Sequence, residues 1–287
     1  MSATTVDATN PSAVVATRTE SGGSKLSWLI SDSLAITGRY LKAYQRVPQL
    51  LVFSTIQPVM FVLLFRYVFG SAIPLPGVEY VDYLMPGIFV QTVLFGSTST
   101  GVGLAEDAGK GLIERFQSLP MSRSAVLIGR TLADIVRNIF VVILMSVVGF
   151  AVGFRFHDGL LSFVVALILI VLFGFAFSWV AAVIGLRAPN AEAAQAAIFP
   201  FIFPLTFASS AFVPTEGMPG PLKWFAEHQP VSIVVDTART LVLGESGSAV
   251  LLPGSVGGKI LLSLGWTILI TAVAAPMAVQ AYRKKTA

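Results

Sequence analysis

Six long apolar stretches dominate the chain: Leu50 to Phe69, Tyr83 to Leu104, Asn138 to Phe154, Leu160 to Leu186, Ala193 to Val213 and Ile260 to Tyr282. A bilayer core about 30 Å thick needs roughly 20 apolar residues per helix, so each stretch is a candidate span. Before the first, Ile30, Leu34, Leu41 and Tyr44 recur at helical spacing on one face and Arg39, Lys42 and Arg46 on another. That pattern predicts an amphipathic helix over residues 27–47 lying in the membrane interface, suited either to anchoring the first span or to passing force into it. The Ser/Thr/Ala-rich residues 1–26 lack the apolar core of a cleavable signal peptide and are predicted to be a disordered tail.

Two connecting segments carry helical patterns of their own. Between spans two and three, Ala105, Ala108, Leu112, Phe116 and Leu119 form an apolar stripe, with Glu106, Lys110 and Glu114 on another face and Pro120 as the terminator. Such a stripe can dock into a partner's groove or rest on lipid headgroups. Between spans five and six, VSIVVDTARTLVL is too short to span, which predicts a re-entrant or interfacial helix capped by Gly244, with Asp236 and Arg239 paired on one face. Gly149 and Gly153 form a small-xxx-small pair suited to close helix packing. The predicted fold class is an all-α membrane protein: six transmembrane helices, an N-terminal interfacial helix, an amphipathic helix between spans two and three, and a short outer re-entrant helix before the last span.

Composition agrees with this pattern: of 287 residues 55% are hydrophobic and only 12% charged, and the mean hydropathy is +0.79. No polar stretch is long enough for a catalytic or nucleotide-binding domain, which usually takes about 50 residues or more. Of the 19 Lys and Arg, only Arg155, Lys223, Arg239 and Lys259 fall on one side of the six-span arrangement, with Arg66 near the outer end of span one. The rest crowd the other side, in the N-terminal segment, the loop between spans two and three, Arg187 and the tail Arg283, Lys284 and Lys285. By the positive-inside rule that side is cytoplasmic, with both termini inside a multi-pass protein of the cytoplasmic membrane. This asymmetry also accounts for the net charge of +4 without nucleic acid as a partner.

The chemistry points away from an enzyme. There is no cysteine, and the two histidines, His157 and His228, fall in outer loops as surface residues with no carboxylate cluster at metal-ligand spacing. Neither Gly109-Lys110 nor Gly258-Lys259 completes a phosphate loop. The six stretches hold almost no ionisable residues, which argues against a proton-coupled exporter. No catalytic residue, metal site or cofactor is expected. The stretches are instead rich in phenylalanine and proline; Phe199, Phe203 and Phe207 are candidates for a path taken by hydrophobic cargo.

Four segments carry a family likeness: YLMPGIFVQ (Tyr83 to Gln91), GLIERFQSLPMSRSAVLIGRTLADIVR (Gly111 to Arg137), GFRFHDG (Gly153 to Gly159) and HQPVSIVVDTAR (His228 to Arg239). They resemble the membrane subunit of type-2 ABC exporters, most closely the daunorubicin-resistance permease group, over most of residues 30–285. RFQSLPMSR is the most specific part. The resemblance implies a single permease domain over residues 48–287, a partnership of two permeases (a second copy or a paralogue) with a separate ABC ATPase that holds ATP and magnesium, and export of a hydrophobic drug or lipid. It makes Glu106 to Leu119 the coupling helix, with Glu106, Lys110, Leu112, Arg115, Phe116, Ser118, Leu119 and Pro120 as ATPase-coupling residues, and it sets the interfacial helix against the same ATPase. The alternative is an ATP-independent membrane enzyme or lipid-binding scaffold.

Overall fold

The computed structural model describes residues 25–46, 49–70, 75, 77–112, 123–248, 252 and 254–285. Residues 1–24 of the expected tail and Arg115, Phe116, Ser118, Leu119 and Pro120 lie outside the described residues. Among those described there are nine α-helices and no strand: α1 (Lys25–Arg46), α2 (Gln49–Leu64), α3 (Tyr80–Gly109), α4 (Arg123–Ala151), α5 (Gly159–Arg187), α6 (Ala191–Phe207), α7 (Gly220–His228), α8 (Pro230–Ser248) and α9 (Val256–Lys285). A π-helical turn, Phe65–Phe69, extends α2. Four helices are long and apolar enough to cross a membrane, namely α3, α4 from Ala125, α5 and α9; Thr55–Phe69 and Ala191–Phe207 are shorter apolar helices.

Helix α3 is the hub, packed by α4, α5, α6 and α8. Its contact with α5 is as close as two backbones allow, since an added Cβ at Gly185 would overlap the Gly101 carbonyl and one at Gly101 the Ala181 carbonyl. Small residues permit this approach, which gains dispersion contacts that larger ones would block. Away from the hub the surface is apolar: α4 exposes Val136, Ile139, Phe140, Ile143 and Val147, and α9 exposes Leu261, Leu262, Ile268, Leu269 and Val273. That 3–4 spacing marks the sides that meet lipid.

Both ends of the described chain lie at one end of the bundle, here termed the basic end. Tyr40 of α1 reaches Asp107 near the end of α3, and Lys285 of α9 donates to the Ala188 carbonyl just beyond α5. Helix α1 crosses the start of α4, where Ile36 fills the space beside Gly129 and Thr37 Oγ1 donates to the Gly129 carbonyl at 3.0 Å. Its buried face is therefore Asp32, Ser33, Ile36 and Thr37, while Ile30 and Leu34 of the expected apolar face stay exposed. Helix α1 thus has three faces: one for α4, one apolar and open, and one basic.

Three further expectations are corrected. Helix α4 starts at Arg123 and ends at Ala151, so Arg130 and Arg137 are helical and not loop residues; Arg130 is paired with Asp107 of α3 and Arg137 with Asp134 of α4 itself, which hydropathy cannot register. The helix expected over Glu106 to Leu119 is interrupted: α3 ends at Gly109 and Gly111 adopts φ +67°, a left-handed conformation that closes a helix and suits glycine. The Gly149/Gly153 pair divides, with Gly149 seated on Met85 of α3 and Gly153 at φ +101° beyond the helix.

At the opposite end α8 folds inward, while α7 stays largely exposed. Helix α8 packs on α3, α5 and α9 and buries Val231, Val234, Val235, Ala238 and Val242, so it is built into the bundle. Gly244, at φ +77°, breaks α8 after Leu243 where a C-cap was expected. We predict that Gly185→Val forces α3 and α5 apart at a cost of about 1–3 kcal/mol or more, read as loss of the monodisperse peak in detergent gel filtration. Gly265→Val, at an exposed position with open space around it, should leave that peak intact.

Candidate functional site

Charged side chains inside an apolar bundle need partners within it, because an unpaired buried charge is strongly disfavoured. Helix α4 carries Arg130, Asp134 and Arg137 at i, i+4 and i+7, all on the face that meets α3. Two glycines of α3 stand opposite the arginines, with Gly103 beside Arg130 and Gly96 beside Arg137. In each case an added Cβ would overlap the guanidinium. Arg130 Nη2 donates to the Ser99 carbonyl at 2.8 Å, and Arg137 Nη2 donates to the Gly96 carbonyl and to Asn138 Oδ1 at 3.1 Å. Asp134 Oδ1 lies 3.8 Å from Arg137 Nε and accepts from Ser99 Oγ at 3.3 Å. The result is a ladder of arginine sockets between two antiparallel helices.

The lower rung of this ladder includes α1. Tyr40 Oη donates to Asp107 Oδ2 at 2.6 Å, Arg130 Nη1 pairs with the same oxygen at 3.2 Å, and the Arg130 guanidinium lies 4.5 Å from the centre of the Tyr40 ring. Burial pushes the Tyr40 phenol up to about 12, the nearby Arg130 opposing that rise, so it keeps its proton and remains a donor throughout the physiological range. One residue from each of three helices therefore meets at a single junction near the basic end.

At the upper rung of the ladder, a cavity of about 300 Å³ opens between α2 and α6. Gln91, Asn138 and Arg137 line it from α3 and α4, Gln57 and Gln195 stand at its mouth, and Phe95 and Phe199 form an aromatic wall. Gln91 Oε1 and Asn138 Nδ2 have no hydrogen-bond partner among the described residues. Leaving such a group unpaired and buried costs about 1–3 kcal/mol.

At the far end sits a second buried arginine centre. Arg239 of α8 is fully buried; it donates to the Tyr83 carbonyl at 2.9 Å, to the Ser210 carbonyl at 2.9 Å and to Asp236 Oδ1 at 2.8 Å. Its guanidinium lies 3.4 Å from the Tyr83 ring centre. The expected Asp236–Arg239 pair thus forms, deep in the molecule. Nearby, His157 Nε2 lies 2.8 Å from Asp82 Oδ2; both histidines are exposed, as expected of surface residues, and His228 stacks on Trp224.

The expected site residues disperse. Glu106 and Lys110 form an exposed ion pair at 2.5 Å, which raises the Lys110 pKa through that hydrogen bond, and Leu112 follows the break at Gly111. Arg39, Lys42 and Arg46 line a shallow exposed hollow on α1. Of the three phenylalanines, Phe199 meets Phe95 edge-on at 5.7 Å in the polar cavity, while Phe203 and Phe207 stack at 4.3 Å in a separate aromatic column that continues through Phe212. The expectation of almost no buried charge fails at Asp134, Arg137 and Arg239, each less than a tenth exposed. The missed signal was Arg130-Asp134-Arg137 repeating on one helical face, matched by Gly96 and Gly103 seven residues apart.

A bundle of long apolar helices with buried arginine centres marks a multi-pass membrane protein, and the comparisons with known proteins say of which kind. The sequence matches the ABC-2 type transporter family over residues 32–243. It is 32% identical over 258 residues to a daunorubicin resistance ABC transporter permease protein of Streptomyces coeruleorubidus, covering 90% of this chain and 88% of that one. It is 26% identical over 259 residues to a probable doxorubicin resistance ABC transporter permease protein of Mycobacterium tuberculosis, covering 90% of each. A putative transport permease of Cyanophora paradoxa is 24% identical over 75% of each chain. The chain belongs to the ABC-2 type transporter permease family.

Two outcomes test this geometry. Arg239→Ala leaves Asp236 and two carbonyls without their donor, and it should cost roughly 3–5 kcal/mol, seen as a lowered Tm in detergent. Tyr40→Phe removes one donor to a charged acceptor and should cost about 1–3 kcal/mol by the same measurement.

Proposed function

We propose that this chain is the membrane-spanning subunit of an ATP-driven exporter, itself without enzymatic activity, moving a hydrophobic or amphiphilic drug or lipid out across the cytoplasmic membrane. The chain crosses six times, α2 and α6 joining the four long helices, with both termini cytoplasmic. It works with a second permease, a copy or a paralogue, and with a separate ABC ATPase that holds ATP and magnesium. ATP binding on the partner moves the inner ends of the spans, and the bundle changes which side of the membrane its interior faces. Relatives named for daunorubicin and doxorubicin resistance make an aromatic amphiphile the first cargo to try.

The observation that carries this reading, within a family of ABC permeases, is the Tyr40–Asp107–Arg130 junction. It ties the exposed basic helix α1 to α3 and α4, so a push on α1 is delivered directly to two long helices. Residues beyond Leu112, with Arg115, Phe116, Ser118, Leu119 and Pro120, supply the second contact to the ATPase. Replacing Phe116 and Leu119 together by Asp should abolish both ATPase co-purification and transport while the chain still inserts. Co-purification at the wild-type level would overturn the docking role.

A further inference from the structure

We propose that the pocket between α7, α8 and α9, at the end opposite the basic one, binds the headgroup of a phospholipid that carries a phosphate and a primary ammonium. The pocket holds about 340 Å³ and shares no residue with the cavity at the ladder. Two of the carboxylates on its wall already have cations: Asp236 is paired with Arg239 at 2.8 Å and Glu227 with Lys223 at 3.7 Å. Two charges remain. Lys259 of α9 and Glu216 of the turn Thr215–Gly217 both line the pocket, and neither has an ion-pair partner among the described residues. One unanswered cation and one unanswered anion on the same wall call for a zwitterion, because a simple ion would satisfy one and repel the other.

Hydrogen bonding narrows the class. The hydroxyls of Tyr83, Ser210, Thr215 and Thr237 already donate, to the Ser210 carbonyl, Asp236, Glu227 and the Ile233 carbonyl. Lys259 Nζ commits two of its three protons to the Leu252 carbonyl at 2.6 Å and Thr240 Oγ1 at 3.0 Å, which holds it in place and leaves one for a phosphate oxygen. The rest of the polar wall is rich in carboxylate acceptors and poor in free donors, so the cation facing Glu216 must itself donate. A primary ammonium with three N–H groups does so, and a quaternary one does not. The acyl chains have a place as well. Ile233, Leu252 and Leu262 complete the lining, and Leu262, 53% exposed, adjoins Leu261 on the lipid-facing side of α9. Free glycerophosphoethanolamine offers the same headgroup, but only the lipid uses this apolar flank. So bound, the lipid ties α9 to the turn before α7 and holds α7 and α8 against the last helix.

The test uses the full chain in detergent with no ATPase present, so its outcome is independent of the exporter reading. Dioleoyl phosphatidylethanolamine at about ten times its Kd should raise the apparent Tm by about 3–6 °C. Dioleoyl phosphatidylcholine and dioleoyl phosphatidylglycerol at the same mole fraction should raise it far less. Glu216→Gln, at an exposed turn position, should bring phosphatidylethanolamine down to the level of phosphatidylcholine. Glu216→Lys should reverse the order, so that phosphatidylglycerol stabilises most, and Lys259→Met should abolish the phosphatidylethanolamine shift. The two Glu216 variants decide the matter even if Lys259→Met fails to fold. Equal shifts by the three lipids, a phosphatidylethanolamine shift that survives Glu216→Gln, or no shift at all would overturn the proposal. Glycerophosphoethanolamine at the same concentration should move the Tm little; a shift matching that of the lipid would assign the pocket to a soluble zwitterion and sink the lipid.

Discussion

In hydrocarbon an arginine must find its acceptors inside the protein, and three arginines of this chain find one on the same helix. Arg239, Arg137 and Arg130 donate to the α3 carbonyls of Tyr83, Gly96 and Ser99. Each of those carbonyls also belongs to a helix turn, so the arginines brace α3 from α8 at one end and from α4 along its middle and basic end. Removing a guanidinium leaves acceptors and a carboxylate buried together, which is why these contacts constrain the fold more than their number implies. The glycines follow from the same requirement: Gly96 and Gly103 are open because planar cations occupy the space where side chains would stand.

Much of the architecture was legible in the apolar stretches, because a helix in lipid must present lipid-like side chains over a fixed length. The four long helices, the short helix before the last of them, the Gly244 break and the Asp236–Arg239 pair all followed from that pattern and from helical spacing. The start of α4 did not, because Arg130 and Arg137 lower the local hydropathy although each has a carboxylate beside it, Asp107 of α3 and Asp134 one turn away on α4. A one-dimensional average counts a paired charge as a solvated one. The buried face of α1 was hidden for a related reason: Ser33 and Thr37 bond backbone carbonyls, Thr37 reaching α4 at Gly129, so polar residues occupy the face turned inward.

The candidate site was less legible still. Phe199, Phe203 and Phe207 stood out as aromatic, yet position in the bundle sends one to a polar cavity and two to an aromatic column. Glutamine and asparagine carry no periodic signal of their own, and only the packing of α2, α3, α4 and α6 brings Gln57, Gln91, Asn138 and Gln195 to one space. The ladder and the cavity therefore overlap along α3, with Gly96, Ser99 and Arg137 belonging to both.

The left-handed glycine that closes α3 has a mechanical meaning. A continuous helix transmits torque along its axis, whereas a chain that turns through φ +67° at Gly111 does not. A rotation of α3 about its own axis therefore stops at Gly111, and Tyr40 and Arg130, which both hold Asp107, grip the free end of a rod and not its middle.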